Sequence, residues 1–505
     1  MVPRCEQRGG RKMQKINKPV DFAAGVLTPA LFKNCKGDVQ PPLETPSNGS
    51  TLKSTWSTIS IVSLGCARNL VDSEVMAGLL QRNHYEIVRE PADADVVLVN
   101  TCGFIGAAKE ESIDTIVEMG RLKDAGKLKK LVVAGCLSQR YPEDLASELP
   151  EVDLFIGTGE VPRIVEILRD HEVDPSRRQH IGVPSYIYDH VTPRLRTTPS
   201  YTAFLKVSEG CDHKCAFCII PQLRGPHRSR SIGSVAEEAA ALAKSGVKEI
   251  NLIAQDLTAY GRDRKDGTTL YGLLKEMDRV EELAWIRLLY AYPNFLDNSL
   301  LELIRESEKI CKYIDIPFQH ISRSLLQRMR RGKSGAAVRE AVKRLRDAIP
   351  RLTLRTSLIV GFPGESEADF EELLDFVEET EFERLGVFKY SEEEGTAAAK
   401  LEGQVPEEEK ERRWQEVMDL QSAVSRKKNQ ALIGTIQRVM IDGADPDTGK
   451  LSGRTQAHAP EVDGLVFVEG YDKLTTSNPP DPGAMINVRI TRAHDYDITG
   501  EIIHG

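Results

Sequence analysis

Between residues 58 and 199, the hydrophobic positions form short β-rich runs that alternate with amphipathic helical patterns. One of these helical patterns places Val71, Val75 and Leu79 on a single face. The alternation predicts a parallel sheet with helices on both faces, of the flavodoxin or Rossmann type. Ligands of such sheets bind beyond the carboxyl ends of the strands. The predicted strands span residues 59–64, 95–100, 130–134 and 153–156.

A second alternating series follows a Pro- and Thr-containing stretch, residues 191–200, which we interpret as a linker. It contains six strand patterns, and each but the last is followed by a loop and a helical pattern. Six βα units predict a partial or full barrel of the TIM type. The six strands are expected at residues 203–207, 248–253, 285–289, 313–316, 352–360 and 384–388.

The last part of the chain has a different pattern. Residues 406–430 predict one amphipathic helix with Pro406 in its first turn, and the charged run at 407–413 is typical of a solvated helix face. From Ala431 onward, short β-like runs between Asp, Gly and Pro turns predict a small antiparallel β-barrel. The predicted division of the chain is a disordered extension at 1–57 and three domains, at 58–195, 200–425 and 431–505.

Length and charge narrow the class of protein. A chain of 505 residues has room for about three domains, and it contains no apolar run near the ~20 residues of a membrane-spanning helix. The formal net charge of -9 argues against a protein that coats nucleic acid through a basic surface. The charge is also uneven, because residues 1–57 contain nine Lys and Arg against four Asp and Glu, whereas residues 431–505 contain six against eleven.

Cysteine usage indicates the compartment. Nine cysteines are too few for a disulfide scaffold, and an odd number cannot pair completely within one chain. Asp21 and Pro29 interrupt the apolar stretch near the N-terminus, so we do not expect an export signal. These features predict a cytoplasmic protein with reduced thiols, whose first 57 residues are either an extension or the product of a mis-called start codon.

The most specific motif is a Cys-x3-Cys-x2-Cys run, Cys211, Cys215 and Cys218, directly after the first strand of the predicted barrel. Three thiolates at this spacing can bind three irons of a [4Fe-4S] cluster and leave the fourth iron open to a small molecule. The spacing resembles that of the radical S-adenosylmethionine (SAM) superfamily, which binds SAM at this open iron and cleaves it to a 5′-deoxyadenosyl radical. The alternative is a structural zinc site that His213 or Cys311 completes.

A second set of cysteines is dispersed along the first domain. Cys66, Cys102 and Cys136 each follow a predicted parallel strand directly. Because the carboxyl ends of parallel strands lie at one edge of a sheet, these thiols are expected to converge and to form a second three-cysteine cluster site. The alternative for each is an ordinary buried cysteine, which is the interpretation we keep for Cys5, Cys35 and Cys311.

From about residue 58 to residue 505, the sequence resembles the methylthiotransferases, and within them the RimO-type enzymes. Two features depart from the family pattern: Ala67-Arg68 stands where Pro-Lys is expected, and the N-terminal extension has no counterpart. The six cluster cysteines are shared with tRNA-modifying relatives and do not distinguish the substrate. The resemblance is carried by residues 62–66, 69–74, 100–105, 209–221, 224–225, 255–256, 259–261, 315–317, 319–320, 361–365, 388–391 and 459–464.

The resemblance implies an N-terminal cluster-binding domain, a radical SAM domain with a partial (β/α)6 barrel and a C-terminal TRAM domain. It implies two [4Fe-4S] clusters: Cys211, Cys215 and Cys218 hold the one that binds SAM, and Cys66, Cys102 and Cys136 hold an auxiliary one that presents sulfur. No catalytic residue beyond these ligands is assigned.

Four further residues are predicted to contact the cofactor. Phe217 lies between two ligands and is expected to pack on adenine, although it could instead shield the cluster. Gly361 resembles the adenine-contacting turn of the superfamily, where the absence of a side chain permits close approach. Gln255 and Asp256 follow the second barrel strand and are expected to contact the cofactor or the substrate, with capping of the next helix as the alternative.

The resemblance also implies a substrate, an aspartate of small-subunit ribosomal protein twelve, which is modified at its β-carbon. The acidic C-terminal domain independently favours a basic protein partner over tRNA, which needs Lys and Arg to neutralise phosphates. Flavodoxin or ferredoxin is the expected kind of electron donor. The alternatives are a tRNA methylthiotransferase and a non-enzymatic adaptor held together by zinc.

Overall fold

The computed structural model describes residues 56–293, 295–332, 334–470 and 479–503. The predicted disordered extension therefore lies outside the described residues, except for its last two. Of these, Trp56 is buried in the core of the first domain, and the Ser57 amide donates to the Asp95 carboxylate at 2.8 Å. The ordered fold thus begins slightly before the predicted start at Thr58.

The first domain is a six-stranded sheet in which every pairing is parallel. The strand order is β2-β1-β3-β4-β5-β6, which is the flavodoxin-like arrangement extended by one edge strand. The strands are β1 (Thr58–Ser63), β2 (Glu86–Ile87), β3 (Val96–Thr101), β4 (Lys130–Gly135), β5 (Leu154–Ile156) and β6 (Gln179–His180). The helices are α1 (Ala67–Arg82), α2 (Gly106–Asp124), α3 (Cys136–Arg140), α4 (Pro142–Glu148) and α5 (Ile164–Val173).

The second domain contains another six-stranded parallel sheet, in the order β14-β13-β12-β11-β10-β7. Its two edge strands do not pair with each other, so the barrel is partial. The strands are β7 (Thr202–Lys206), β10 (Glu249–Ile253), β11 (Trp285–Leu288), β12 (Ile310–Asp315), β13 (Thr353–Val360) and β14 (Arg384–Lys389). A two-stranded hairpin, β8 (Ser208–Glu209) with β9 (Arg228–Ser229), follows β7.

Except for the short helix Ile220–Arg224, which packs against α3 of the first domain, the helices of this domain cover the outside of the partial barrel. Their apolar faces and the strands form one large core cluster that contains Leu273, Ile304 and Phe376. The helices are α6 (Ile220–Arg224), α7 (Ile232–Lys244), α8 (Leu270–Asp278), α9 (Asn298–Glu306), α10 (Arg323–Arg328), α11 (Gly335–Ala348), α12 (Glu367–Thr380) and α13 (Glu407–Gln430).

Helix α13 differs from its prediction in one respect. The charged run at residues 407–413 is not fully solvated, because the side chains of Lys410 and Arg413 are buried. Arg413 pairs with Glu365 at 3.2 Å and with Glu409 at 2.7 Å. A charged run therefore contributes to domain packing here, since long cationic side chains bury their stems.

The C-terminal domain is a closed five-stranded barrel in the order β15-β16-β17-β19-β18. Four pairings are antiparallel as predicted, but β17 and β19 pair in parallel. Its core contains Val439, Val466 and Ile490. The strands are β15 (Ile436–Ala444), β16 (Leu451–Arg454), β17 (Val466–Glu469), β18 (Met485–Ala493) and β19 (Ile498–Ile502). Among all described residues, no helix has the length and apolar character needed to span a bilayer.

Candidate metal centre

Cys66, Cys102 and Cys136 lie where the sequence places them, after three strands that are neighbours in the sheet. Cys66 is the N-cap residue of α1, Cys102 follows β3, and Cys136 begins α3. Because β1, β3 and β4 are adjacent and parallel, the three residues share one edge of the sheet. The edge between β1 and β3 is also the point where the strand order reverses, which is the usual ligand site of such sheets.

Glycines bring the three loops into contact. A β-carbon on Gly65 would lie 2.7 Å from the β-carbon of Cys102, and one on Gly103 would lie 2.8 Å from the carbonyl oxygen of Cys136. Gly65 also has a φ of +85°, which favours glycine for conformational reasons. Each cysteine loop therefore rests against the next at a distance that excludes larger residues.

Asn69, in the first turn of α1, fixes the same strand ends. Its side-chain amide donates to the carbonyls of Leu64 at 2.8 Å and of Asn100 and Thr101 at 3.2 Å each. Its side-chain oxygen accepts from Arg224, a residue of the second domain, at 2.8 Å. One buried amide thus joins two strand ends of the first domain to the barrel domain.

The three thiols influence one another electrostatically. Burial raises the pKa of Cys102 to about 12, and the neighbouring Cys136 and Cys66 add to this shift. Burial also raises the pKa of Cys136. Burial acts to raise the pKa of Cys66 as well, but the guanidinium charges of Arg68 and Arg224 outweigh it and lower this pKa. The dispersed cysteines therefore form one group, which we call the auxiliary triad.

Cys211, Cys215 and Cys218 lie in the loop after β8, and we call them the radical triad. The loop is fixed by backbone hydrogen bonds from Cys211 to the carbonyl of Gly225 at 3.1 Å and from Ala216 to the carbonyl of Met329 at 3.0 Å. Burial raises the pKa of Cys211 to about 11 and that of Cys218 to about 12, and the neighbouring thiols contribute to both shifts.

Each triad has a buried arginine against one of its sulfurs. Arg224 donates to Cys136 Sγ at 3.4 Å, and Arg331 donates to Cys215 Sγ at 3.5 Å. A guanidinium at this distance stabilises a thiolate, the form of cysteine that binds metal. The sequence motif contained Arg224 but gave it no role, and Arg331 was not singled out.

Asp256 and Gln255 lie just beyond the carboxyl end of β10, as predicted. The Asp256 carboxylate caps the next turn by accepting from the Thr258 amide at 2.9 Å, and it pairs with His213 Nε2 at 2.6 Å. The capping alternative is therefore present in the structure. The Gln255 side chain donates to Glu209, but its own oxygen is buried without a hydrogen-bond partner among the described residues.

Phe217 and Gly361 both lie near the radical triad. Phe217 packs against a small apolar cluster that contains Ala216, Phe362 and Tyr390. Gly361 follows β13 with a φ of +73°, and a β-carbon there would collide with the stem of Lys410. The requirement for glycine in the described structure thus comes from α13, and contact with adenine stays a prediction.

Cys311 does not join either triad. It lies in the first half of β12, at the opposite end of the barrel strands from the radical triad, and it is buried near Arg287 and Glu249. His213 is paired with Asp256. Cys311 is thus too far from the radical triad to complete a zinc site there, and no three Cys, His, Asp or Glu side chains of the described residues are grouped closely enough for a single metal ion.

Comparisons with known proteins agree with this geometry. Three family models match the chain: the "Uncharacterized protein family UPF0004" over residues 58–157, the radical SAM superfamily over 205–377 and the TRAM domain over 433–503. A protein of Syntrophotalea carbinolica named ribosomal protein uS12 methylthiotransferase RimO is 50% identical over 88% of this chain and 96% of its own length. A protein of the same name from Pelobacter propionicus is 49% identical over 88% of this chain and 97% of its own.

The chain belongs to the RimO family of radical SAM methylthiotransferases. Among solved structures, the radical SAM methyltransferase TsrM from Kitasatospora setae is similar, with a TM-score of 0.50, 15% identity, and coverage of 66% of this chain and 72% of that chain. This likeness shows the fold alone. Membership of the radical SAM superfamily implies a [4Fe-4S] cluster and SAM.

The residues of the radical triad fit that cluster. They supply three thiols from one loop, and Cys311, at the other end of the barrel strands, is not a fourth ligand. The unpartnered oxygen of Gln255 lies at the same edge of the barrel and offers an acceptor to a bound molecule. The donor set therefore suits a RimO-family cluster with an open iron.

Proposed function

We propose that the protein transfers a methylthio group to the β-carbon of an aspartate of ribosomal protein uS12, with SAM as methyl donor and radical source. One observation carries the proposal: the two triads adjoin. Cys136 of the auxiliary triad packs in one apolar cluster with Ile219, the residue after Cys218 of the radical triad. Arg68, two residues after Cys66, donates to the carbonyl of Ala254 at the carboxyl end of β10. We place the substrate residue between the two triads.

The six cysteines of the two triads would hold two [4Fe-4S] clusters. When bound, these clusters and SAM supply the radical, the methyl group and the sulfur. Phe217, Gln255 and Gly361 are the residues we assign to SAM, and Asp256 orients the radical-triad loop through His213. The task of the chain is to bring both clusters and the aspartate together and to exclude water from the space between them.

A buried ion network supports this arrangement because it locks the first two domains together. Lys206 of β7 pairs with Asp72 of α1 at 2.5 Å and with Glu209 at 2.6 Å, and Arg224 pairs with the same two carboxylates. All four side chains are buried. Separating any one of these ion pairs would leave an unpaired charge in a buried site, which is energetically costly. The network therefore holds the two domains, and with them the two triads, in a fixed relative position.

The proposal also includes the domain boundaries, the partners and the location of the protein. We assign residues 58–195 to the methylthiotransferase domain, 200–425 to the radical SAM domain and 431–505 to the TRAM domain. The acidic TRAM domain favours basic uS12 over tRNA. An electron donor of the flavodoxin or ferredoxin type and a cytoplasmic location complete the proposal, because the substrate is a ribosomal protein and the cysteines are expected to be reduced.

The experiment compares the intact mass of uS12 from cells with and without this gene and places any methylthio group by fragmentation. Loss of the group on deletion, and its return with the intact gene, is the expected result. A gene that encodes Cys215→Ala should not restore it, whereas the matched control Cys311→Ala should. If uS12 has the same mass in both strains, the proposal is wrong, and the tRNA nucleosides of those strains become the next analyte.

A further inference from the structure

Arg68 reaches from the first domain to the carboxyl edge of the barrel. It lies in the first turn of α1, two residues after Cys66. Its Nη1 donates to the carbonyl of Ala254 at 2.7 Å, just after β10, and its guanidinium lies 4.5 Å from the ring centroid of Tyr290, just after β11. Two barrel loops therefore fix the position of this cation.

The surroundings of Arg68 place it between the triads. On one side, Cys66 of the auxiliary triad is two residues before it, at the N-cap of α1. On the other side, its acceptor Ala254 is two residues from Asp256, which pairs with His213 of the radical-triad loop at 2.6 Å. The guanidinium thus lies on the auxiliary side of the space that any substrate of both clusters must enter.

Arg68 differs from the other central cations because it has no carboxylate partner. Within the described part of the chain, no Asp or Glu oxygen lies within 4.0 Å of its side chain, whereas Arg224 pairs with Asp72 and Arg194 pairs with Glu74. The hydrogen bond to Ala254 uses one of five N–H donors. Arg68 is half-buried, and a carboxylate can accept two N–H groups of a guanidinium at once.

We infer that Arg68 binds the side-chain carboxylate of the substrate aspartate and so determines specificity for this residue type. The inference rests on the proposed function, because it takes the substrate to be an aspartate. A carboxylate held by Arg68 would place the adjacent β-carbon between the triads, which is where hydrogen abstraction and sulfur transfer must both occur.

SAM also carries a carboxylate, on its methionyl end. We assign Arg68 to the substrate because it belongs to the first domain and lies in the first turn of the helix that Cys66 caps, whereas SAM is bound at the radical triad. The experiment below distinguishes the carboxylate of the substrate aspartate from that of SAM.

The test measures binding rather than turnover. Full-length protein with both clusters loaded is titrated with labelled uS12 and with uS12 in which the modified aspartate is replaced by asparagine, and affinity is read by fluorescence anisotropy. The intact protein should prefer the aspartate form by about tenfold, the size expected for a charge-assisted pair in a partly buried site. Arg68→Gln should bind both forms equally, and Arg68→Lys should keep part of the preference.

The matched control is Arg178→Gln. Arg178 also donates to backbone carbonyls, of Ala146, Leu149 and Val152, and also lies near an aromatic ring, that of Phe155 at 5.8 Å. It lies before β6 at the opposite edge of the sheet from the auxiliary triad. This variant should keep the full preference for aspartate.

Three outcomes would overturn the inference. The first is an Arg68→Gln protein that still prefers the aspartate form. The second is an unchanged preference with weaker binding of S-adenosylhomocysteine, which would assign Arg68 to SAM. The third applies if the Arg68→Gln protein does not bind its clusters, in which case the Arg68→Lys protein is measured instead. If that protein binds its clusters and still has the full tenfold preference for aspartate, the inference is also overturned. Failure of the proposed function is distinct, because the intact protein itself would then leave uS12 unmodified.

Discussion

The two triads each bring three thiols together, but by opposite routes. The radical triad comes from one loop, residues 211–218, between the two strands of one hairpin, whereas the auxiliary triad comes from three loops between residues 66 and 136. The spacing of the cysteines in the loop at residues 211–218 is set by the sequence of that loop. The auxiliary triad depends on the strand order β1-β3-β4, on glycines that let the loops touch, and on Asn69, which ties the strand ends together.

The auxiliary triad also depends on the second domain. Arg224 comes from α6 of the barrel domain, yet it donates to Cys136 Sγ and influences Cys66. In the other direction, the charge of Arg68 acts to lower the pKa of Cys218, but its influence is smaller than that of the neighbouring thiols, and burial still raises the pKa of Cys218. The difference teaches that a cluster site dispersed in sequence is completed by domain docking, whereas a contiguous one is largely complete within its own domain.

The largest expected effect is on catalytic activity, and it differs between substitutions in the two triads. Cys215→Ala should abolish reductive cleavage of SAM, and with it the product, because the open iron needs its three-thiolate cluster. Cys102→Ala should keep SAM cleavage and abolish only the methylthiolated product. Each variant should contain about four irons per chain in place of about eight. The measurement combines iron analysis with chromatography of 5′-deoxyadenosine and of the uS12 product.

The expected independence of the radical triad would be contradicted if the Cys102→Ala protein lost SAM cleavage as completely as the Cys215→Ala protein. That result would mean that the radical site requires the auxiliary one. Cys311→Ala is the control for both variants, since Cys311 lies outside the triads and should keep about eight irons and full cleavage.

The second prediction concerns the domain interface that completes the auxiliary triad. Arg224→Gln leaves Asp72 and Glu209 with a single cation, Lys206, in a buried site. We expect a loss of about 3–5 kcal/mol of stability in the cluster-free protein, the usual cost of breaking a buried ion pair. The midpoint of urea unfolding measures it, and the expectation fails if the midpoint matches that of Arg178→Gln.

The fold could be predicted largely because hydrophobic runs mark buried parallel strands. The ten strands of the two parallel sheets other than β2 and β6 were predicted to within a few residues, since each contains several apolar or β-branched residues in succession or near-succession. The two-residue strands β2 and β6 were missed because so short a run carries no period. The parallel pairing of β17 with β19 was also missed, because pairing direction in a barrel of short strands is set by its closure and not by any local pattern.

The convergence of the candidate ligand cysteines was predictable from the sequence, but the side chains that surround them were not. Cysteines that follow predicted strands can be identified from the sequence alone. The contact of Arg224 with Cys136, or of Arg68 with the loops after β10 and β11, joins residues far apart in the chain. An arginine in sequence does not reveal which carbonyl, ring or sulfur it meets. The only available signal was the departure from the expected Pro-Lys at Ala67-Arg68.

The third prediction tests the close packing of the auxiliary loops. Gly65→Ala would force a β-carbon to within 2.7 Å of Cys102 at a φ of +85°. We expect roughly 1–3 kcal/mol of destabilisation and loss of auxiliary iron, with the radical cluster retained. The control is Gly126→Ala, where φ is +72° but nothing lies within 4 Å of the new β-carbon. If both variants lose the same stability and no iron, close packing is not what assembles the auxiliary triad.

The smallest expected effect concerns how far the radical loop is self-sufficient. Asp256, at the end of β10, holds His213 of the loop at 2.6 Å, and His213 stacks on Tyr292 with ring centroids 4.1 Å apart. Asp256→Asn keeps an acceptor for the capping bond to Thr258 but removes the charge that pairs with His213. The expected cost is about 0.5–1.5 kcal/mol, with cluster loading and S-adenosylhomocysteine affinity little changed. A large loss of that affinity would instead assign Asp256 to the cofactor, and the radical loop would then depend on the barrel as closely as the auxiliary triad depends on domain docking.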